Sequence, residues 1–110
     1  MSEASGHSHD VGNEIPRGPL DRASAEVLAR TLRALADPTR IQLLSMIIGS
    51  TGGRVSVKEL VDQLNFSQPT ISHHLRIMYD EGILDREQSG RKVWYSIASA
   101  YRTSISDLLR

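Results

Sequence analysis

The sequence predicts a mainly α domain with a small β-hairpin, built in the order α-α-α-α-β-β-α. Three observations predict it. Apolar residues recur at helical spacing from about position 24 to 78, the signature of helices with one buried face. After Gly82 the period switches to two, and Ile, Val, Trp and Tyr gather over 83–88 and 92–98, as half-buried strands require. Between these stretches stand Asp37-Pro38, Ser56, Ser67, Gly82 and Gly90, residues that cap helices or turn the chain.

The totals bound the answer. A chain of 110 residues is one small domain with a thin core, and pairing with a second copy would hide more apolar surface. Apolar residues make up 39% and charged residues 24%, which suits a globular protein. The formal net charge is zero, which argues against a diffuse nucleic-acid binder but leaves room for a local basic face. There is no cysteine, so disulfides and thiolate metal sites are excluded. No apolar run approaches the length of about 18 residues that a membrane helix needs, and no leader pattern opens the chain. The expected location is cytoplasmic. Residues 1–19, rich in Gly, Ser and Pro without a period, read as a disordered tail, and 20–110 as the folded domain.

The elements follow in order. From Asp21, "DRASAEVLARTLRALA" puts Val27 or Leu28, Leu32 and Leu35 on one helical face. Asp37 is a good N-cap and Pro38 fits the first position of a second helix. There Ile41, Leu44 and Ile48 fall at core spacing with Leu43 and Ile47 beside them, so this nearly all-apolar helix should be central. "GSTGG" ends it. Ser56 and Glu59 form a capping-box pattern for a third helix, and Val55 and Leu60 sit where a hydrophobic staple would. Asn65, Phe66 and Ser67 make a short turn, with Asn65 able to take a left-handed conformation. Ser67 caps a fourth helix that Gly82 closes. "SGR" turns the hairpin with Gly90 at its tip, and Tyr101, Ile105 and Leu108 share a face of a short last helix.

Two helices joined by a short turn and followed by a β-hairpin form a winged helix-turn-helix, a DNA-binding arrangement. The fourth helix carries the test. With Ile71 at zero and about 100° per residue, Leu75 falls at about 40° and Met78 at about −20°, one inner stripe. His74 lies at its edge, at about −60°, which suits a half-buried histidine paired within the fold. Ser72, His73 and Arg76 point outward, Thr70 fills the same side, and Ser67 and Gln68 stand at the helix start. Gln, Ser, Thr, His and Arg can pair with base edges in a major groove. A polar helical face can also be merely solvated; the turn before it and the hairpin after it favour DNA reading. Arg91 and Lys92 at the hairpin tip are candidates for phosphate or minor-groove contact. Lys58, Arg86 and other bases nearby are balanced by six acids (Glu59, Asp62, Asp80, Glu81, Asp85 and Glu87). Adjacent histidines diverge by about 100° and make a poor metal pair, which wants a spacing of three or four. No nucleophile arrangement or phosphate-cradling glycine loop is present, so no enzyme is expected.

These residues resemble the ArsR/SmtB family of bacterial winged-helix repressors over about 24–109. "LRALADPTRIQLL", "VKELVDQLNFSQPTISHHLRIMYDEGIL" and "GRKVWYSI" are similar to the family's entry helices, its helix-turn-helix and its wing. The resemblance implies a homodimer through the first and last helices, with Leu28, Leu32, Leu35, Ile105, Leu108 and Leu109 as seam candidates. Ordinary packing inside one subunit is the competing reading of those six. It also implies binding of a double-stranded operator with pseudo-palindromic half-sites and, in most members, release when a metal binds.

The metal part departs from the family. Where one family site has cysteines, this chain has Ser56 and Lys58. Where the zinc-type site has Asp and His, it has Ser99 and Tyr101, and the sequence ends at Arg110 before a second ligand pair would come. What remains is "HSHD": His7, His9 and Asp10 suit Ni(II), Cu(II) or Zn(II), and some nickel-responsive relatives use N-terminal ligands. The competing reading is a tail whose histidines hold nothing. Two further alternatives are a regulator that senses through a partner protein and a winged helix used as a protein-interaction module.

Overall fold

The computed structural model describes residues 18–109. The expected tail, 1–19, lies outside them apart from residues 18 and 19. Helix α1 (Arg22–Leu35) is capped by Asp21, whose Oδ1 accepts the Ser24 N–H at 2.8 Å. Helix α2 (Pro38–Ile48) follows, with Asp37 Oδ2 accepting the Arg40 N–H at 3.1 Å and Pro38 in the first turn, where no N–H is missed.

The chain then departs from the expected order. A short 3-10 turn, Thr51–Gly53, leads into strand β1 (Arg54–Ser56), which the sequence did not suggest. Three residues without alternation carry no periodic signal. This strand exists because β3 offers it a ladder, with Val55 opposite Tyr95. Helix α3 (Val57–Gln63) begins on the expected capping box: the Glu59 N–H donates to Ser56 Oγ (3.2 Å) and the Ser56 N–H to Glu59 Oε1 (2.9 Å). The turn into helix α4 (Gln68–Asp80) does not use a left-handed Asn65. Among the described residues no non-glycine has a positive φ, and Leu64 leaves α3 in an extended conformation.

Helix α4 ends on Gly82, at φ 77°. The Ile83 N–H reaches back to the Met78 carbonyl (3.0 Å) and the Gly82 N–H to Tyr79 (2.9 Å), the paired closure that a left-handed glycine permits. Strands β2 (Leu84–Ser89) and β3 (Lys92–Ile97) form the wing, joined by Gly90 and Arg91. The sheet is antiparallel in the order β1-β3-β2. A 3-10 turn, Ser99–Tyr101, leads into helix α5 (Arg102–Leu108).

The core lies between α2, α3, α4 and the sheet, with Leu43, Ile47, Leu60, Ile71, Leu75 and Met78 fully enclosed. Helix α2 is central, packing against α1, α4, β1 and β3. Its inner face, however, is Leu43, Leu44 and Ile47; Ile41 is exposed and Ile48 half-buried. A helix apolar all round cannot reveal by period which side faces in. The six seam candidates also divide. Leu32 and Leu108 are exposed, at 48% and 66%, and Leu28 and Leu109 are half-buried. Leu35 (5%) and Ile105 (1%) belong to the subunit's own core and leave little surface of their own. Val27 at 50% and Leu20 at 37% add apolar surface near the start of the domain.

Candidate nucleic-acid interface

Helix α4 presents two faces. Ile71, Leu75 and Met78 are completely buried and anchor it. Gln68, Pro69, His73 and Arg76 are exposed, and Thr70 and Ser72 are half-buried. Ser67 serves the helix itself. Its Oγ accepts the Thr70 N–H (3.4 Å), and its hydroxyl donates to Thr70 Oγ1 (3.0 Å).

Between α4, the start of α3 and the inner face of the wing runs a cleft of about 640 Å³. From α4 it takes Gln68, Ser72 and Arg76, which succeed one another every four residues along one stripe; from the hairpin tip it takes Arg91 and Lys92. Ser67, Thr70 and His73 stand outside it, His73 on the outward ridge of the helix. Lys58 and Arg86, which the sequence shows only as bases balanced by nearby acids, also line it. Five cationic side chains therefore border the cleft, and among the described residues no carboxylate does.

The segregation of charge follows from the sheet. Successive strand residues face opposite sides. Arg86 lies opposite Tyr95 and faces the cleft, while Asp85 and Glu87 lie opposite Ser96 and Trp94 on the outer side. There Glu87 accepts from the Arg54 guanidinium (3.4 Å), which sits 4.2 Å from the centre of the Trp94 ring. On α3, Asp62 pairs with Lys58 at 2.9 Å; both groups are largely in water, so the pair costs little to open. Lys92 borders the cleft, but its ammonium lies 5.4 Å from the Trp94 ring centre, which ties it to the outer side. Arg76, Arg86 and Arg91 are the cations most open to a polyanion. The missed signal was the Asp85-Arg86-Glu87 triplet itself: a strand with period two sends its base one way and its acids the other.

The family's metal positions do not fit a metal in this chain. Ser56 is committed to the capping box, Lys58 is a cation, and Tyr101 is buried. Among the described residues no group of three or more His, Asp or Glu converges. His7, His9 and Asp10 lie outside the described residues.

A helix-turn-helix with a wing and a cationic cleft between them defines a DNA-binding regulator. Comparison with known proteins agrees. The model for "Bacterial regulatory protein, arsR family" matches residues 37–86. The HTH-type transcriptional regulator NmtR of Mycobacterium tuberculosis is 33% identical over 98 residues, 89% of this chain and 77% of that one. The HTH-type transcriptional repressor SmtB of the same organism is 36% identical over 107 residues, 94% and 77% of the two chains. The solution structure of the homodimeric winged helix-turn-helix DNA-binding domain of Mb0332 from Mycobacterium bovis superposes with a TM-score of 0.66 at 23% identity, over 86% of this chain and 83% of that one; at that identity it shows the fold. The chain belongs to the arsR family of bacterial regulatory proteins, and it is a DNA-binding transcriptional regulator. Among the described residues no helix is long and apolar enough to cross a membrane.

Proposed function

We propose that the protein is a homodimeric repressor that reads a pseudo-palindromic operator, with Gln68, Ser72, His73 and Arg76 facing base edges, Thr70 beside them and Ser67 holding the helix start. The observation that carries this reading is the cleft with five bases and no acid. In B-DNA a single sugar–phosphate strand separates a major groove from the adjacent minor groove. A helix in the first and a hairpin in the second must hold that strand between them. Lys58, Arg86, Arg91 and Lys92 are where its phosphates would lie.

The dimer rests on the apolar side chains left exposed on α1 and α5, Val27, Leu32 and Leu108, and on the homodimeric state named for the Mb0332 domain. Repression is the activity named for SmtB. A cytoplasmic location goes with that activity. Since the usual metal positions do not fit, Ni(II) or Zn(II) would enter through His7, His9 and Asp10.

Selection from random duplexes tests the reading. The expected product is a consensus with two half-sites about one helical turn apart, and Arg76→Ala and Ser72→Ala should each lose about 1–3 kcal/mol of discrimination against changed bases. A pool that never enriches contradicts it. Titration with nickel and zinc, with and without His7→Ala and His9→Ala, tests the tail. A metal effect on operator affinity that persists without both histidines excludes them.

A further inference from the structure

One titratable side chain of α4 has no part in the DNA face. His74 points toward the N-terminus of α2, its side chain only 18% exposed. Its Nδ1 is buried and has no hydrogen-bond partner. Asp37 Oδ2 lies 3.9 Å from it, too long for a hydrogen bond. That same oxygen accepts the Arg40 N–H at 3.1 Å and so is fixed to the start of the central helix. An imidazole on the reading helix and a carboxylate on the core helix thus face each other across a gap of about one ångström beyond bonding length.

We propose that His74 and Asp37 form a protonation-dependent strut that positions the recognition helix. The inference rests on the reading of α4 as the helix that docks in DNA. Neutral His74 with its proton on Nε2 offers Asp37 no donor and leaves the gap open. Protonated His74 brings an N–H and a positive charge to Asp37, and the charge-assisted hydrogen bond closes at about 2.8 Å. Histidine is the side chain that changes charge in the ordinary pH range. Because Ile71, Leu75 and Met78 are locked in the core, a pull at His74 acts on the whole helix and on the stripe of Gln68, Ser72 and Arg76. A helix already pinned loses less freedom on docking, so the protonated protein binds its operator more tightly. His74 is a positioning residue; it touches no DNA.

Two other charged or titratable side chains stand beside the pair. Arg40, on α2, acts on the same carboxylate through its charge, and its Nε is buried without a hydrogen-bond partner; it competes with His74 for Asp37. His73, the neighbour on α4, has its ring centre 5.7 Å from that of His74. Among the described residues, α1, α3 and the wing bring no other acid within 4.0 Å of His74.

The test uses the full chain and the duplex recovered by selection. Operator affinity is measured from about pH 8 to about pH 6, across the histidine range, for wild type, His74→Gln, Asp37→Asn and the double variant. Asparagine keeps the cap on α2 while removing the charge. His73 is present in all four. Wild type should tighten about fivefold more than His74→Gln over that range, the low end of ordinary coupling. Asp37→Asn should lose the same increment, and the double variant no more. Thermal melting gives a readout without DNA: the Tm advantage of wild type over His74→Gln should grow as pH falls. If both single variants keep the wild-type pH profile of binding, the strut is overturned. An increment in melting but none in binding overturns the positioning role and leaves a core contact. A wild type that enriches no duplex sinks the DNA reading instead, and melting still decides whether the pair forms.

Discussion

Ser56 shows how much one residue carries. It ends β1, caps α3 and is itself buried at 2%. Ser56→Ala removes an acceptor for the Glu59 N–H and should lower stability by about 1 kcal/mol, read as a shift in a urea midpoint without a change of slope. Asp21 and Asp37 cap α1 and α2 in the same way. The hydrogen bonds from Ser24 hold the Asp21 carboxyl below its ordinary 3.8. The Arg40 N–H does the same for Asp37, helped by the charges of Arg40 and His74 and opposed by burial. A depressed carboxyl contributes stability that is fully present above its unfolded value and is lost as pH falls through the folded one. Wild type should therefore weaken between about pH 5 and about pH 2, and Asp21→Asn, which keeps a cap without a charge, should flatten that decline. A parallel decline in Asp21→Asn contradicts the assignment.

At the scale of elements, the closure of α4 decides where the wing starts. Gly82 sits at φ 77° with open space around its α-carbon, so a methyl group there meets nothing and the cost is conformational alone. Gly82→Ala should destabilise by about 1–2 kcal/mol, the price of a left-handed residue with a side chain, measured by chemical unfolding. The signals that work over a few residues were legible in the sequence: the Asp37-Pro38 start, the Ser56–Glu59 box, the Gly82 stop, and the inner stripe of Ile71, Leu75 and Met78. What was not legible depends on partners far along the chain. Strand β1 has no pattern of its own and takes its form from Tyr95 and its neighbours on β3. Helix α2, apolar on every side, cannot show which face Leu43 and Ile47 turn inward. The candidate site was half legible. Gln68, Ser72, Arg76, Arg91 and Lys92 could be named from the sequence; Arg86 needed the register of the wing, which shows which side each charge takes, and Lys58 needed the packing of α3 beside the cleft.

Across the whole molecule, a net charge of zero hides a strong separation of sign. On β2 the acids Asp85 and Glu87 look outward while Arg86 looks into the cleft. Two such clefts would act together in a dimer. Replacing Leu32 and Leu108, the exposed apolar side chains of α1 and α5, by aspartate should yield a folded monomer in sedimentation that loses operator affinity, because one protomer contacts one half-site. A double variant that remains dimeric moves the seam elsewhere.

The most direct measurement of the central claim is the salt dependence of operator binding for wild type and Arg86→Gln. Each phosphate contact adds about 0.9 to the slope of log affinity against log salt. The cleft account predicts a steep wild-type slope that Arg86→Gln lowers by about 0.9 per protomer, with Arg86→Lys restoring it. Equal slopes for wild type and Arg86→Gln would contradict a duplex strand held between helix and wing.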